Sequence, residues 1–203
     1  MGRYTGPKER LSRREGVNLH LKGERSFSEK NGLQRKPFVP GQHGNKRKAR
    51  LSNYGIQLRE KQKIKRTYGL REKQMKSVFK EADRRSKTRN SDKGLELLRI
   101  LELRLDNVLY LAGLAHSRNS ARQAVVHGHV KLNDSKCRIP SLELKEGDSV
   151  ELKLAKLAPS KKFFATPKWI ETKDSKCKVV NLPIREDIDE GIKENLVIEF
   201  YSR

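Results

Sequence analysis

The sequence has few cysteines, few aromatic residues and no long apolar run. Its two cysteines, Cys137 and Cys177, lie far apart in the chain, and such a pair is more typical of reduced thiols in a reducing compartment than of a disulfide framework or a metal site. The longest apolar run is the eight residues 108–115, far short of the ~20 that span a bilayer. Residues 1–25 are charged throughout and contain no apolar segment of a signal peptide. These absences argue against a secreted disulfide scaffold and a membrane protein.

Acidic residues are also scarce. The 203 residues include 47 Lys and Arg but only 25 Asp and Glu, which gives a net charge of +22, and only 34% of the residues are hydrophobic. Counted with glycine and without tyrosine, the apolar fraction is about 38%, against about 45–50% in ordinary domains. This composition favours one or two small domains with solvated basic segments over a single large α/β enzyme. Because charge of one sign opposes compact folding, we expect a polyanionic partner.

The basic charge is concentrated in the first half. Residues 1–90 carry a net charge of +19, whereas residues 91–203 carry +3. Helical periodicity and capping residues predict helices over 53–68 and 70–86, and the first of these is basic around most of its circumference. Residues 23–50, rich in Pro, Gly and basic side chains, predict an extended loop that becomes ordered on its partner.

In the second half of the chain, the spacing of apolar residues changes from a helical period to a period of two. Asp92 and Ser117 are predicted to cap helices, and Gly113 and Gly128 are predicted to end the second and third of three helices. Strands, in which polar and apolar residues alternate, are then predicted over residues 129–132, 136–139 and 149–154. Helices followed by a small antiparallel sheet predict an α+β module of about 60 residues.

Four motifs of this module resemble the S-four RNA-binding module: RLDNVLY at 104–110, SRNSARQ at 117–123, HGHVKLN at 127–133 and GD at 147–148. In that module, two helices and an adjoining strand form a surface for structured RNA. The rest of the chain resembles the bacterial-type family of small-subunit ribosomal protein S-four. The resemblance is carried by GRY at 2–4, GPK at 6–8, LSRREG at 11–16, PGQHG at 40–44, LSNYG at 51–55, QLREKQK at 57–63, PKWIE at 167–171 and IEFYS at 198–202.

This resemblance implies a structural constituent of the small ribosomal subunit that is not an enzyme. Such a protein binds small-subunit rRNA in its five-prime domain and nucleates assembly of the subunit body. It contributes to translational accuracy through contact with ribosomal protein S-five, it has other small-subunit proteins as neighbours, and it lies near the channel through which mRNA enters. The implied location is the ribosome in the cytoplasm, with an organelle interior left open. No membrane partner is implied.

The expected organisation is a mostly helical basic domain and a small α+β module. Residues 1–91 are expected to form the basic domain, with an extended loop at 23–50, and to be completed by residues 176–203, whose acidic stretch 186–190 would offset part of the charge. Residues 92–175 are expected to form the module and its C-terminal extension.

Candidate rRNA-binding residues follow from the basic stretches and from the motifs of the resemblance. Arg and Lys are expected to bind phosphates, because the deep major groove of A-form RNA hides base edges. The first half contributes Arg3, Arg13, Arg14, Lys46, Arg47, Arg50, Tyr54, Arg59, Lys63 and Arg66. The module contributes Arg104, Tyr110, Ser117, Arg118, Arg122, Gln123, His127, His129, Lys131 and Asn133.

No cofactor, metal site or catalytic site is predicted. Some members of the resembled family hold a metal with four cysteines near the N-terminus, but no Cys precedes Cys137 here, and residues 25–36 offer no soft ligands. His127 and His129 lack a third ligand nearby, so RNA contact or a surface pair is favoured over zinc.

The alternative function is an RNA-modifying enzyme of the pseudouridine synthase type that uses the same module. It would need a catalytic domain of a couple of hundred residues, and residues 166–203 are too few. A histone-like DNA compactor would explain the charge but not the antiparallel module.

Overall fold

The computed structural model describes residues 4–46, 50–153, 165–188 and 191–202. The chain divides into two compact units, one formed by Met1–Glu81 with Glu190–Arg203 and the other by Ala82–Asp189. The helices are α1 Lys8–Glu15, α2 Gly32–Arg35, α3 Asn53–Thr67, α4 Glu72–Arg89, α5 Lys93–Glu102, α6 Leu105–Leu111, α7 Arg118–Val126 and α8 Glu194–Tyr201, with short 3-10 helices at Gly23–Phe27 and Arg185–Asp187. The strands are β1 Val130–Leu132, β2 Ser135–Cys137, β3 Ser149–Leu152, β4 Ile170–Lys173 and β5 Lys176–Val179.

In the first unit, α3 forms where capping and periodicity predict it. The Ser52 hydroxyl accepts a hydrogen bond from the backbone N–H of Gly55 at 3.2 Å, as an N-cap does. The helix ends before Gly69, which adopts a φ of +64°. Ile64 of α3 and Val197 of α8 are fully buried in the core, together with Met75 of α4.

Of residues 23–50, predicted to be an extended loop, residues 47–49 lie outside the described residues, and the part 23–46 contains a 3-10 helix and the one-turn helix α2. Side chains order this segment by satisfying its backbone groups. The Asn31 amide donates to the Ser26 carbonyl, and its oxygen accepts from the Leu33 N–H, both at 3.0 Å. Nε of Arg13 donates to the carbonyls of Lys36 and Phe38, both at 3.0 Å. The segment is thus held by intramolecular bonds that its composition does not reveal.

In the second unit, helices α6 and α7 pack on a five-stranded sheet. Asp92 and Ser117 cap α5 and α7 through bonds from the backbone N–H groups of Leu95 and Ser120. The strand order is β2-β1-β3-β5-β4 and every neighbouring pair is antiparallel, which confirms the α+β class. The buried core joins side chains of α6, α7 and the inner sheet face, listed as Leu105, Val108, Leu109, Ala121, Ala124, Val125, Val130, Val150 and Leu152.

The predicted boundaries differ from those of the structure. β5, at Lys176–Val179, pairs with both β3 and β4, because buried Cys177 and Val179 extend the inner sheet face. The prediction that the segment from residue 176 completes the basic domain was therefore wrong for 176–188, whose acidic residues belong to the second unit. The other boundary falls within α4, at residues 81 and 82, rather than after residue 91. Of the predicted acidic stretch, residues 189 and 190 lie outside the described residues.

Candidate nucleic-acid interface

An ion cluster joins α6 to α7 in the second unit. The Arg104 guanidinium donates two hydrogen bonds to the Asp106 carboxylate, at 3.1 and 2.8 Å. Arg122 of α7 donates to the same carboxylate at 3.1 Å. Arg104 and Asp106 are both 5% exposed, whereas Arg122 is partly exposed. Arg104 therefore has an internal role, and Arg122 holds the edge of α7 to α6 while it reaches the surface.

Arg118 is oriented by groups on α6. Its Nε donates to Oδ1 of Asn107 at 2.7 Å, and its guanidinium lies 4.6 Å from the centroid of the Tyr110 ring, within cation–π distance. Tyr110 is buried, and burial raises the pKa of its hydroxyl while the Arg118 charge opposes the change. Tyr110 thus contacts the Arg118 guanidinium with its ring and does not itself lie on the surface.

The remaining residues predicted near α7 lie on its exposed side and at its two ends. Gln123 and His127 are exposed. The Ser117 hydroxyl accepts from the Ser120 N–H at 3.2 Å, so it serves as the N-cap. The rings of His127 and His129 lie 6.1 Å apart between centroids.

Two cations that the sequence analysis missed lie beside this helix end. A Cβ atom built on Gly128 would be 2.4 Å from Cε of Lys136 and 3.0 Å from Nε of Arg138. Both side chains therefore lie directly over Gly128, next to His127. The sequence shows basic residues at alternate positions 136 and 138 of the predicted strand. It does not show that their side chains lie over Gly128, which depends on the tertiary structure.

Lys131 and Asn133 occupy other places. Val130 and Leu132, the neighbours of Lys131 on β1, pack against the core, so Lys131 itself lies on the opposite sheet face, 3.9 Å from Glu151. Asn133 has a φ of +45° in the β1–β2 turn. Its amide donates to Asp148 at 2.8 Å and its oxygen accepts from the Ser149 N–H at 2.9 Å, so this side chain ties two turns together.

In the first unit, several predicted cations bind groups of the protein. Arg59 and Arg66 both pair with Glu15, whose side chain is 1% exposed. Burial raises the pKa of Glu15, although Arg66 and Arg59 act to lower it. Burial also lowers the pKa of Arg66. Lys63 donates to Glu60 at 2.6 Å and to the Gly191 carbonyl at 2.8 Å.

Other predicted residues of the first unit are exposed: Arg14, Lys46, Arg50 and Tyr54. The Tyr54 ring lies 5.6 Å from the Phe200 ring between centroids, so one edge of Tyr54 packs on protein. Arg3 and Arg47 lie outside the described residues. The face of α4 adds Lys73, Lys76 and Lys80, which are exposed and form no side-chain bond with any described residue.

Within the described ranges, no cluster of His, Cys, Asp and Glu has the composition of a metal site. Within the same ranges, no helix combines the length and the apolar character that crossing a membrane requires. The predicted residues that reach the surface carry cationic, amide and imidazole groups, whose N–H groups can donate hydrogen bonds to phosphate and ribose oxygens.

Comparison with known proteins covers the entire chain. The family described as "Ribosomal protein S4/S9 N-terminal domain" matches residues 3–102, and the "S4 domain" matches residues 103–150. Small ribosomal subunit protein uS4 of Heliobacterium modesticaldum is 47% identical over 213 aligned positions, which cover 100% of both chains. Small ribosomal subunit protein uS4A of Alkaliphilus metalliredigens is 48% identical and uS4 of Clostridioides difficile 47%, again over 100% of both chains. These names are those of ribosomal proteins rather than enzymes, in agreement with the sequence prediction. The chain therefore belongs to the uS4 family of small-ribosomal-subunit proteins.

Proposed function

We propose that this protein binds small-subunit rRNA in its five-prime domain and nucleates assembly of the body of the small subunit. It works in the cytoplasm, bound to the ribosome, and contacts ribosomal protein S5 and other small-subunit proteins. Through the S5 contact it contributes to translational accuracy, and it lies beside mRNA where mRNA enters the ribosome. The observation that carries the proposal is the full-length identity of nearly one half with proteins named uS4.

The charge and its distribution support rRNA as the principal ligand. A net charge of +22 on 203 residues favours a polyanion, and phosphate contacts dominate the affinity of proteins for nucleic acid. Cations are exposed in each of the two units. Two separate basic surfaces on one chain suit a junction of RNA helices, whose shape is recognised through backbone and 2′-hydroxyl contacts.

The predicted residues fall into two groups with different roles. The first group, whose side chains are exposed or partly exposed, is proposed to contact RNA directly: Arg14, Lys46, Arg50, Tyr54, Arg118, Arg122, Gln123, His127, His129 and Lys131, joined by Lys136 and Arg138. The second group is proposed to position the first through the protein groups that its side chains contact: Arg13, Arg59, Lys63, Arg66, Arg104, Tyr110, Ser117 and Asn133.

Co-sedimentation tests the assignment to the ribosome. A tagged copy of the full chain is expected to sediment with small subunits at one copy per subunit. A modifying enzyme of the pseudouridine synthase type would be substoichiometric and would leave after acting. A sub-stoichiometric amount in purified subunits would therefore contradict the proposal.

Binding at several salt concentrations tests the surface beside α7. Replacing Arg138 with Gln is expected to reduce the log–log salt slope for a five-prime-domain rRNA fragment by roughly 0.7–0.9, the contribution of one phosphate contact. Lys87→Gln is the matched control, because Lys87 is 77% exposed and pairs with Asp83 on α4. An equal change in both variants would show a general charge effect and contradict the placement of the surface.

A further inference from the structure

We propose that the outer face of the five-stranded sheet is a second RNA-binding surface, which takes the phosphate backbone of an RNA duplex. The outer face is the face opposite the buried side chains of the sheet. It shares Lys131 and Lys136 with the contacts proposed above and adds Ser149, Glu151, Glu171, Lys173, Lys176 and Lys178. The proposal rests on the proposed function, since it adds a second surface to an RNA-binding protein.

Strand register brings these lysines from distant parts of the chain into one row. Lys131 pairs with Lys136 on one side and with Glu151 on the other. Glu151 pairs with Lys176, which pairs in turn with Lys173. Neighbouring strands lie about 4.8 Å apart, so this row across five strands spans about 19 Å. The row is therefore long enough to follow several phosphates of one RNA helix.

The charges on this face are not balanced within the protein. Five lysines share it with two glutamates, and Lys131↔Lys136 and Lys173↔Lys176 are pairs of like charges directly opposite each other, an arrangement that destabilises a sheet. Lys131 forms the one ion pair found among the described residues of this face, to Glu151 at 3.9 Å. The other four ammonium groups bond to no described residue. A bound polyanion would relieve both repulsions.

The residue types select duplex RNA among possible anionic partners. Among the strand residues that the structure describes, none that lies on this face is aromatic, whereas surfaces for single strands use aromatic rings on which bases stack. Protein interfaces are depleted in Lys and enriched in aromatic residues and Arg at their centre, the reverse of what is found here. Lysine binds phosphate as a point charge, and an A-form helix presents its backbone along a wide, shallow minor groove. A flat, lysine-rich sheet fits that ligand.

The test removes the lysine pair on β4 and β5, at the edge of the sheet opposite β2. The double variant Lys173→Gln/Lys176→Gln of the full chain is expected to keep its fold, because a repulsive pair is lost. Its affinity for a mixed-sequence RNA duplex is measured by fluorescence anisotropy at several salt concentrations. The log–log slope should fall by roughly 1.4–1.8, the contribution of two phosphates. The control Lys87→Gln/Lys145→Gln removes the same charge from two other exposed positions of the same unit and should change the slope much less.

Acetylation of lysines gives a second measurement on the unchanged protein. Bound duplex RNA should protect Lys173, Lys176 and Lys178 from acetylation, as read by mass spectrometry, while Lys87 stays reactive. Absence of protection would overturn the proposal even if the double variant failed to fold.

The possible outcomes separate this proposal from the proposed function. An unchanged slope in the folded double variant, with normal binding of the wild type to a five-prime-domain rRNA fragment, overturns the second surface alone. Failure of the wild type to bind that fragment contradicts the proposed function itself. Binding of the double variant to poly-glutamate is measured as well. If the double variant loses binding to poly-glutamate but keeps its RNA slope, the surface binds acidic protein, and the proposal is overturned.

Discussion

Arg122 on α7 donates to the carboxylate of Asp106 on α6, and Asp106 at the same time accepts two hydrogen bonds from buried Arg104. One carboxylate thus pairs with two guanidinium groups, of which only that of Arg122 reaches the surface. The arrangement fixes α7 against α6. Arg122 therefore has a structural role in addition to being the surface cation that its helical position suggests.

Removal of Asp106 should therefore be far more costly than removal of Arg122. Asp106→Ala leaves the buried Arg104 charge without a partner, which typically lowers the free energy of unfolding by about 3–5 kcal/mol. Arg122→Ala leaves the Arg104–Asp106 pair intact and should cost about 1 kcal/mol, within the range of exposed ion pairs. Urea denaturation followed by circular dichroism measures both values. Equal losses would mean that Arg104 does not depend on Asp106.

Glu72 predicts a pH dependence of stability in the first unit. Partial burial raises the pKa of Glu72, but hydrogen bonds from Lys61, Lys65 and Tyr201 outweigh it and lower the pKa from 4.5 to about 2. Since the folded-state pKa is depressed, the stabilisation is complete above pH 4.5 and is lost as the pH falls towards 2. The Glu72 side chain is 40% exposed, so solvent screening keeps the effect at about 1 kcal/mol or less.

The measurement is the free energy of unfolding between pH 5 and pH 2, with Glu72→Gln as the comparison. The wild type should lose stability relative to Glu72→Gln over this window, because the amide does not titrate. Parallel pH profiles for the two proteins would contradict the role of Glu72.

Gly128 links the fold to the proposed RNA surface. Its φ of +75° disfavours a side chain by about 1–2 kcal/mol, and a Cβ there would also displace Lys136 and Arg138. Gly147 has a φ of +89° with open space around it. Gly128→Ala and Gly147→Ala should therefore lose similar stability, while only Gly128→Ala weakens binding to an rRNA fragment. Denaturation and filter binding on the same preparations check this, and equal binding by both variants would argue against a role for Lys136 and Arg138.

The two thiols should differ in reactivity. Cys177 is buried, and burial raises the pKa of its thiol to about 12, which leaves little nucleophilic thiolate near neutral pH. Cys137 lies half-buried on the edge strand β2. Iodoacetamide at pH 8 should modify Cys137 first and Cys177 only when urea unfolds the second unit. Mass spectrometry of tryptic peptides follows both sites, and early modification of Cys177 in the native protein would mean that the sheet opens locally.

Local signals account for the elements that were predicted correctly. Asp92 and Ser117 cap the helices that they were expected to cap, because an N-cap interaction involves residues only two or three positions away. The β1–β2 hairpin was likewise predictable from Asn133 and Asp134, which tolerate the positive φ that a two-residue turn requires. The strands β4 and β5 were missed, because short charged segments such as Lys176–Val179 become strands only when a neighbouring strand pairs with them.

By itself, the sequence determined the family, the α+β class, the basic character of the first half and the positions of most helices. All of these depend on composition, motif order or contacts between close neighbours in the chain. Tertiary structure alone decided which cations reach the surface. Arg66 binds buried Glu15, Arg104 binds Asp106, and Lys131 faces away from α7 because its neighbours on β1 pack against the helices. The physical reason is that a cation remains available to RNA only if no nearby acid or carbonyl binds it first, and those partners come from residues that are distant in sequence.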